Sequence, residues 1–345
     1  MSPRAAAARA PSWGQAMSAP ASSARGVPVP PARLPDFFIV GHAKSGTTAL
    51  YEMLREHPQV FLPASKEPWF FAEELRERTP PRPEGTPRTL EEYTAWFEDA
   101  EPSQRVGEAS ALYLWSRTAA AAIAAVQPEA KIVAILREPA EFLRSLHLQL
   151  IETYVETEHD FARALALEDE RRRGRRIPRH TYWPKTLLYS EHVRYAEQLR
   201  RYHEHFGGER VLVLVYEDFQ SDNEATVRRV QRFLGVDDTV PFLARRANPS
   251  VQMRSRQLHG LLHAVSVGRG RGSLAVKGAL KTVMPPDVRR GLLRSVNARL
   301  LHREPEGADE ELMAQLRSRF KPEVVAVSEY LGEDFVARWG YEHVE

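Results

Sequence analysis

Four residues of this chain are set where they could act on a phosphorylated ligand. Lys44 sits between two glycines in Gly41-His42-Ala43-Lys44-Ser45-Gly46-Thr47-Thr48. Glycines are placed where a backbone must turn sharply or come close to a ligand. The unpaired N–H groups of such a turn, leading into a helix, converge on an anion. Arg137 closes the apolar run Ile132-Val133-Ala134-Ile135-Leu136, and Ser145 follows eight residues later. A guanidinium presents planar, bidentate donors to a phosphate, and the serine hydroxyl adds another. Glu67 lies in Lys66-Glu67-Pro68-Trp69-Phe70-Phe71, a stiffened loop whose aromatics can wall off water. Together these residues suit the binding of a phosphorylated ligand beside a charged, aromatic-walled loop.

The elements needed to position them are legible in the hydrophobic pattern. Phe37 to Val40 is an apolar run suited to a buried strand, and apolar residues at 49, 50, 53 and 54 repeat with helical spacing. The runs 132–136 and 211–215 suit strands buried on both faces, as in a parallel sheet. Shorter strands are expected at 59–62 and 106–110. Helices are expected at 90–99, 117–126, 139–150, 161–173, 190–206, 223–234 and 310–339. Strands alternating with helices indicate an α/β fold, a doubly wound parallel sheet flanked by helices, with a mostly helical C-terminal extension. The expected organisation is a disordered leader at 1–33, an α/β domain at 34–262, and a basic flap with a helical extension at 263–345.

Composition removes several function classes. The chain contains no cysteine, so thiolate catalysis and cysteine-ligated metals are excluded. A net charge of +2 provides no global argument for nucleic acid. No apolar run approaches the roughly 18 residues of a membrane helix, and a soluble, cytoplasmic protein is expected. The acid-poor leader reads as disordered, with an organelle transit peptide as the alternative. Between Arg245 and Arg303 there are 13 Lys or Arg and one acid, Asp287. That stretch reads as a phosphate-covering flap, with Arg254 and Arg256 as candidate ligands.

The loop departs from the phosphate loop of nucleotide kinases, G-x-x-x-x-G-K-[ST], at one position. Thr47 stands where the lysine would be, and the lysine lies at 44 instead. Gly41-His42-Ala43-Lys44-Ser45-Gly46-Thr47-Thr48 resembles the 5′-phosphosulfate loop of sulfotransferases. The Lys66-Glu67-Pro68 segment, Arg137 with Ser145, and Tyr216-Glu217-Asp218 follow in that family's order. The Lys-Glu-Pro-aromatic segment is more similar to glycan-type, heparan-sulfate-like members than to cytosolic aryl or steroid enzymes.

This resemblance implies a P-loop-like fold and transfer of a sulfuryl group from 3′-phosphoadenosine 5′-phosphosulfate. The product would be adenosine 3′,5′-bisphosphate, and no metal would be needed. Residues 41–48 would hold the 5′-phosphate, with Lys44 on the leaving oxygen. Arg137 and Ser145 would hold the 3′-phosphate, and Glu67 would serve as base. Trp69 and Phe70 would strip water from Glu67, while Lys66 would favour its charged form. The acceptor would be a carbohydrate, a glycolipid or a small metabolite, through a hydroxyl or amine. Ala109 follows Glu108 where many glycan-type members carry a lysine. Two alternatives stand: a nucleotide kinase or ATPase with a rearranged loop, and a non-catalytic nucleotide-binding relative.

Overall fold

The structure, a computed structural model, describes residues 33–76, 86–179, 181, 183–242, 252–253, 302–303 and 309–344. Arg254, Arg256, residues 1–32 of the leader and most of the basic flap lie outside the described residues. The strands β1 (Phe37–Gly41), β2 (Val60–Phe61), β3 (Arg105–Ala109), β4 (Lys131–Leu136) and β5 (Val211–Val215) form one sheet. Its order is β2-β3-β1-β4-β5, and every pairing is parallel. The helices, in chain order, are α1 (Thr47–Arg55), α2 (Glu73–Arg76), α3 (Leu90–Thr94), α4 (Ala119–Val126), α5 (Pro139–Glu152), α6 (Phe161–Ala166) and α7 (Glu168–Arg172). They continue with α8 (Tyr189–His192), α9 (Tyr195–Phe206), α10 (Tyr216–Ser221), α11 (Asn223–Leu234), α12 (Glu310–Leu331) and α13 (Phe335–Arg338).

The central strand β1 is buried along its whole length, as its unbroken apolar sequence requires. Alternate side chains feed two cores. Phe38 and Val40 pack with residues of α4, α5, α9 and α12 on one face. Phe37 and Ile39 pack with α1 and α11 on the other. The helices that follow the neighbours β1 and β3 thus cover opposite faces of the sheet. That divergence opens a crevice at the carboxyl ends of the strands, where open α/β sheets bind ligands.

The helical expectations hold in outline, and three of them break where packing intervenes. The expected 161–173 helix is interrupted at Leu167, whose N–H is shared between Arg163 and Ala164 carbonyls. The turn lets Arg171 point inward, where it pairs with buried Glu156 at 2.7 Å. The 190–206 helix is interrupted at Val193–Arg194. The C-terminal helix stops at Gly332, whose φ of 68° is readily adopted only by glycine. Helix α12 packs against α5 and α9, so the extension belongs to the same core.

The Arg171–Glu156 pair is enclosed on all sides, and Tyr189 also donates to Glu156. Removing one member of a buried pair typically costs about 3–5 kcal/mol. Arg171→Met is expected to lower unfolding free energy by about that amount in urea titration. Arg171→Met with Glu156→Leu is expected to recover most of the loss. A single variant as stable as the wild type would contradict this.

Candidate active site

The glycine-rich loop lies at the crevice. Gly41 ends β1 with Leu114 Cβ and the Ala111 carbonyl so close that a Cβ at 41 would stand 2.7 Å from the former. Gly46 caps α1 with φ 82°, and a Cβ there would meet the Phe219 ring at 2.9 Å. Helix α1 begins without an acidic residue in its first turn and without a side-chain cap. Its leading N–H groups therefore face the crevice as donors for an anion.

Lys44 adopts φ 60°, a region that non-glycine residues occupy at a cost of about 1–3 kcal/mol. Its ammonium pKa is lowered, chiefly by burial and further by the Arg137 cation, with Glu152 opposing. Arg137 reaches the same loop. One of its Nη groups donates to the Lys44 carbonyl at 2.9 Å, and its guanidinium lies 4.6 Å over the Tyr216 ring. Its Nε is buried without a protein partner. The structure thus places Lys44 and Arg137 side by side.

Other predicted loop residues take different roles. His42 turns its imidazole into the core, bonded to Gln198 Oε1 at 2.7 Å and packed on Phe142 and Tyr195. Burial pushes its pKa down to about 4, so the ring stays neutral and only the His42 backbone remains in the loop. Ser45 and Thr47 are buried, and Ala43 lies at the partly exposed turn. Thr48 is exposed and accepts from Lys66 Nζ at 2.8 Å. Ser145 lies on the buried side of α5, 3% exposed.

Glu67 stands on the neighbouring loop in an αL conformation, φ 64°, followed by Trp69 at φ 47°. Its Oε2 accepts from Trp69 Nε1 at 2.8 Å and from the Ala111 N–H at 3.0 Å. The aromatics therefore do not act as expected. Trp69 is a hydrogen-bond donor to the carboxylate, and Phe70 turns into the core at 4% exposure. Lys66 Nζ lies 3.4 Å from Glu67 Oε1 while also holding Thr48. Lys66 therefore bridges the glycine-rich loop and the Glu67 loop, a role its adjacency to Glu67 only hinted at.

The C-terminal segment completes the Arg137 corner. Tyr341 donates to Glu138, Trp339 Nε1 donates to Glu217 at 3.0 Å, and Arg338 pairs with Asp218. Glu217 in turn accepts from the Glu138 N–H at 3.1 Å, and Tyr195 donates to the Arg137 carbonyl at 2.8 Å. Tyr216-Glu217-Asp218 is thus the strut between Arg137 and the chain terminus. No contiguous sequence signal marks these long-range partners.

A parallel sheet, a strand–loop–helix anion cradle and a loop lysine backed by a strand-ending arginine define an α/β protein of the P-loop-like class. The chain belongs to the sulfotransferase family, whose sequence profile matches residues 35–240. Its relatives include glycan sulfotransferases. A solved sulfotransferase from Alicyclobacillus acidocaldarius is 27% identical and superposes with a TM-score of 0.62, over 89% of this chain and 99% of that one. Mouse carbohydrate sulfotransferase 15 is 29% identical over 59% of this chain and 44% of its own length. Mouse heparan sulfate glucosamine 3-O-sulfotransferase 3B1 is 28% identical over 59% of this chain and 47% of its own. The chain spans less than half the length of these curated relatives.

Proposed function

We propose that the protein moves the sulfuryl group of 3′-phosphoadenosine 5′-phosphosulfate onto a hydroxyl of a carbohydrate-type acceptor. The observation that carries this reading is the placement of Lys44 and Glu67 on adjacent loops joined by Lys66. The acceptor oxygen attacks sulfur, and the bond from sulfur to the 5′-phosphate oxygen breaks. The electron pair of that bond leaves with the phosphate, where Lys44 stabilises the growing charge. The acceptor proton passes to Glu67, the group in this corner able to take it. The backbone N–H groups of 41–48 and the start of α1 hold the 5′-phosphate. Arg137, with Ser145 on the next helix, addresses the 3′-phosphate, and its unpaired buried Nε is a donor available for that purpose. The carbohydrate acceptor is supported by the names of the mouse relatives.

Calorimetry with adenosine 3′,5′-bisphosphate and with ATP, each with and without Mg²⁺, tests the donor. Metal-independent binding of the bisphosphate is expected. Arg137→Ala should weaken it about 10- to 100-fold, the effect of losing hydrogen bonds to a charged group. Preference for ATP with Mg²⁺ would point to a kinase or ATPase instead. A screen of unsulfated polysaccharides and glycolipids with labelled donor then tests the acceptor.

A further inference from the structure

Beneath the Glu67 loop lies a carboxyl group that the reaction as described does not use. Glu108 is the penultimate residue of β3, in register with Phe38 on β1, and is 2% exposed. Its Oε2 accepts from Tyr93 and from Tyr113, each at 3.0 Å, and the Ser110 hydroxyl lies beside it. Its Oε1 is buried without a hydrogen-bond partner. An incompletely paired buried carboxyl is costly to keep.

The two partners on the chain after β3 also hold the base loop. Tyr113 Oη accepts from the Phe71 N–H at 3.1 Å, and Ser110 Oγ accepts from the Trp69 N–H at 3.2 Å. The Glu67 N–H bonds the Ala109 carbonyl at 2.9 Å. Three consecutive odd-numbered residues, 67, 69 and 71, are thus pinned to the strand end around Glu108. Two of them carry the positive φ values that aim the Glu67 carboxylate.

Resting on the reading of Glu67 as base, we propose that Glu108 is a positioning residue for sulfuryl transfer, fixing the Glu67–Phe71 loop through Tyr113 and Ser110. The side chain is also placed to sense the charge of Glu67. Burial, with Glu67 adding to it, raises the Glu108 pKa to about 7 against the hydrogen bonds from Ser110, Tyr93 and Tyr113. The groups facing it are Glu67 from the base loop, Tyr93 from α3 and Tyr113 from the strand end, with Tyr51 and Tyr202 farther out. Below about pH 7 Glu108 is protonated, and above it a second negative charge stands behind Glu67.

The test uses the full chain labelled with 5-fluorotryptophan, because Trp69 touches both Glu67 and the pinned backbone. Its ¹⁹F resonance is assigned by its loss in Trp69→Phe. The wild-type line is expected to shift with a midpoint near pH 7, and to be flat in Glu108→Gln. In Glu67→Gln the midpoint should fall but the transition persist. An unchanged transition in Glu108→Gln would overturn the proposal. Affinity for adenosine 3′,5′-bisphosphate should stay within about twofold of wild type in Glu108→Gln, since the glycine-rich loop is untouched. A large loss would signal general damage and also overturn it.

Tyr113→Phe keeps the Glu108 carboxyl while removing its Tyr113 hydrogen bond and freeing the Phe71 N–H. Amide hydrogen exchange at 67–72 should accelerate at least about tenfold in that variant, and unchanged protection would sink the positioning role. Wild-type transfer by Glu67→Gln would instead defeat the base assignment, leaving the pH transition of the Trp69 resonance as it is.

Discussion

Glu67→Gln is expected to lower the turnover of sulfate transfer by about 10²- to 10⁴-fold, the usual contribution of a general base. Glutamine preserves the shape of the side chain and can still accept from Trp69 Nε1 and the Ala111 N–H. The strained backbone at 67 and 69 should therefore persist, so lost activity would report the missing proton acceptor and not a collapsed loop. Adenosine 3′,5′-bisphosphate does not need Glu67, and its affinity should change by less than about threefold. Steady-state transfer from labelled donor, paired with calorimetry of the bisphosphate, separates these quantities. Turnover within a few-fold of the wild type would remove Glu67 from the chemistry. Lys66→Met is the informative companion, because it breaks the bridge from Thr48 to Glu67 while leaving both loops' reacting groups in place.

Lys44→Ala should cost about 10²- to 10³-fold in turnover, the scale of removing one preorganised donor from a developing oxyanion. The effect on bisphosphate affinity should be smaller, since the product carries no breaking bond for Lys44 to stabilise. The sign of the pH dependence follows from the lowered ammonium pKa. As pH rises, Lys44 loses its proton earlier than an ordinary lysine would, and turnover should fall on the alkaline side accordingly. In Lys44→Ala that alkaline limb should disappear along with most of the rate. An alkaline limb unchanged in the variant would show that another group controls it. Lys44→Arg is not expected to restore activity, because a longer planar cation does not fit a half-buried αL turn against Arg137.

Much of this arrangement was legible in the residues because it is local. A strand buried on both faces must be an apolar run, so β1, β4 and β5 declare themselves, and with them the positions of Gly41 and Arg137 at strand ends. A glycine at 46 is needed where the chain turns left-handed into α1. The lysine at 44 in place of one after Gly46 separated a sulfotransferase-like loop from a kinase-like one.

What the chain alone did not specify is where side chains point once helices pack on the sheet. His42 looked like part of the anion cradle, yet its ring is held inside by Gln198, 156 residues away. Trp69 looked like an apolar wall and is a hydrogen-bond donor to Glu67. Lys66 joins two loops, Glu108 gathers Tyr93, Tyr113 and Ser110 beneath Glu67, and Tyr341 steadies Glu138 across 203 residues. Local spacing determines which elements form and which residues end them, because backbone sterics and hydrophobic periodicity act within a few residues. The tertiary structure decides which polar groups are paired. Burial forces each one to find a partner, and such partners lie wherever packing brings them.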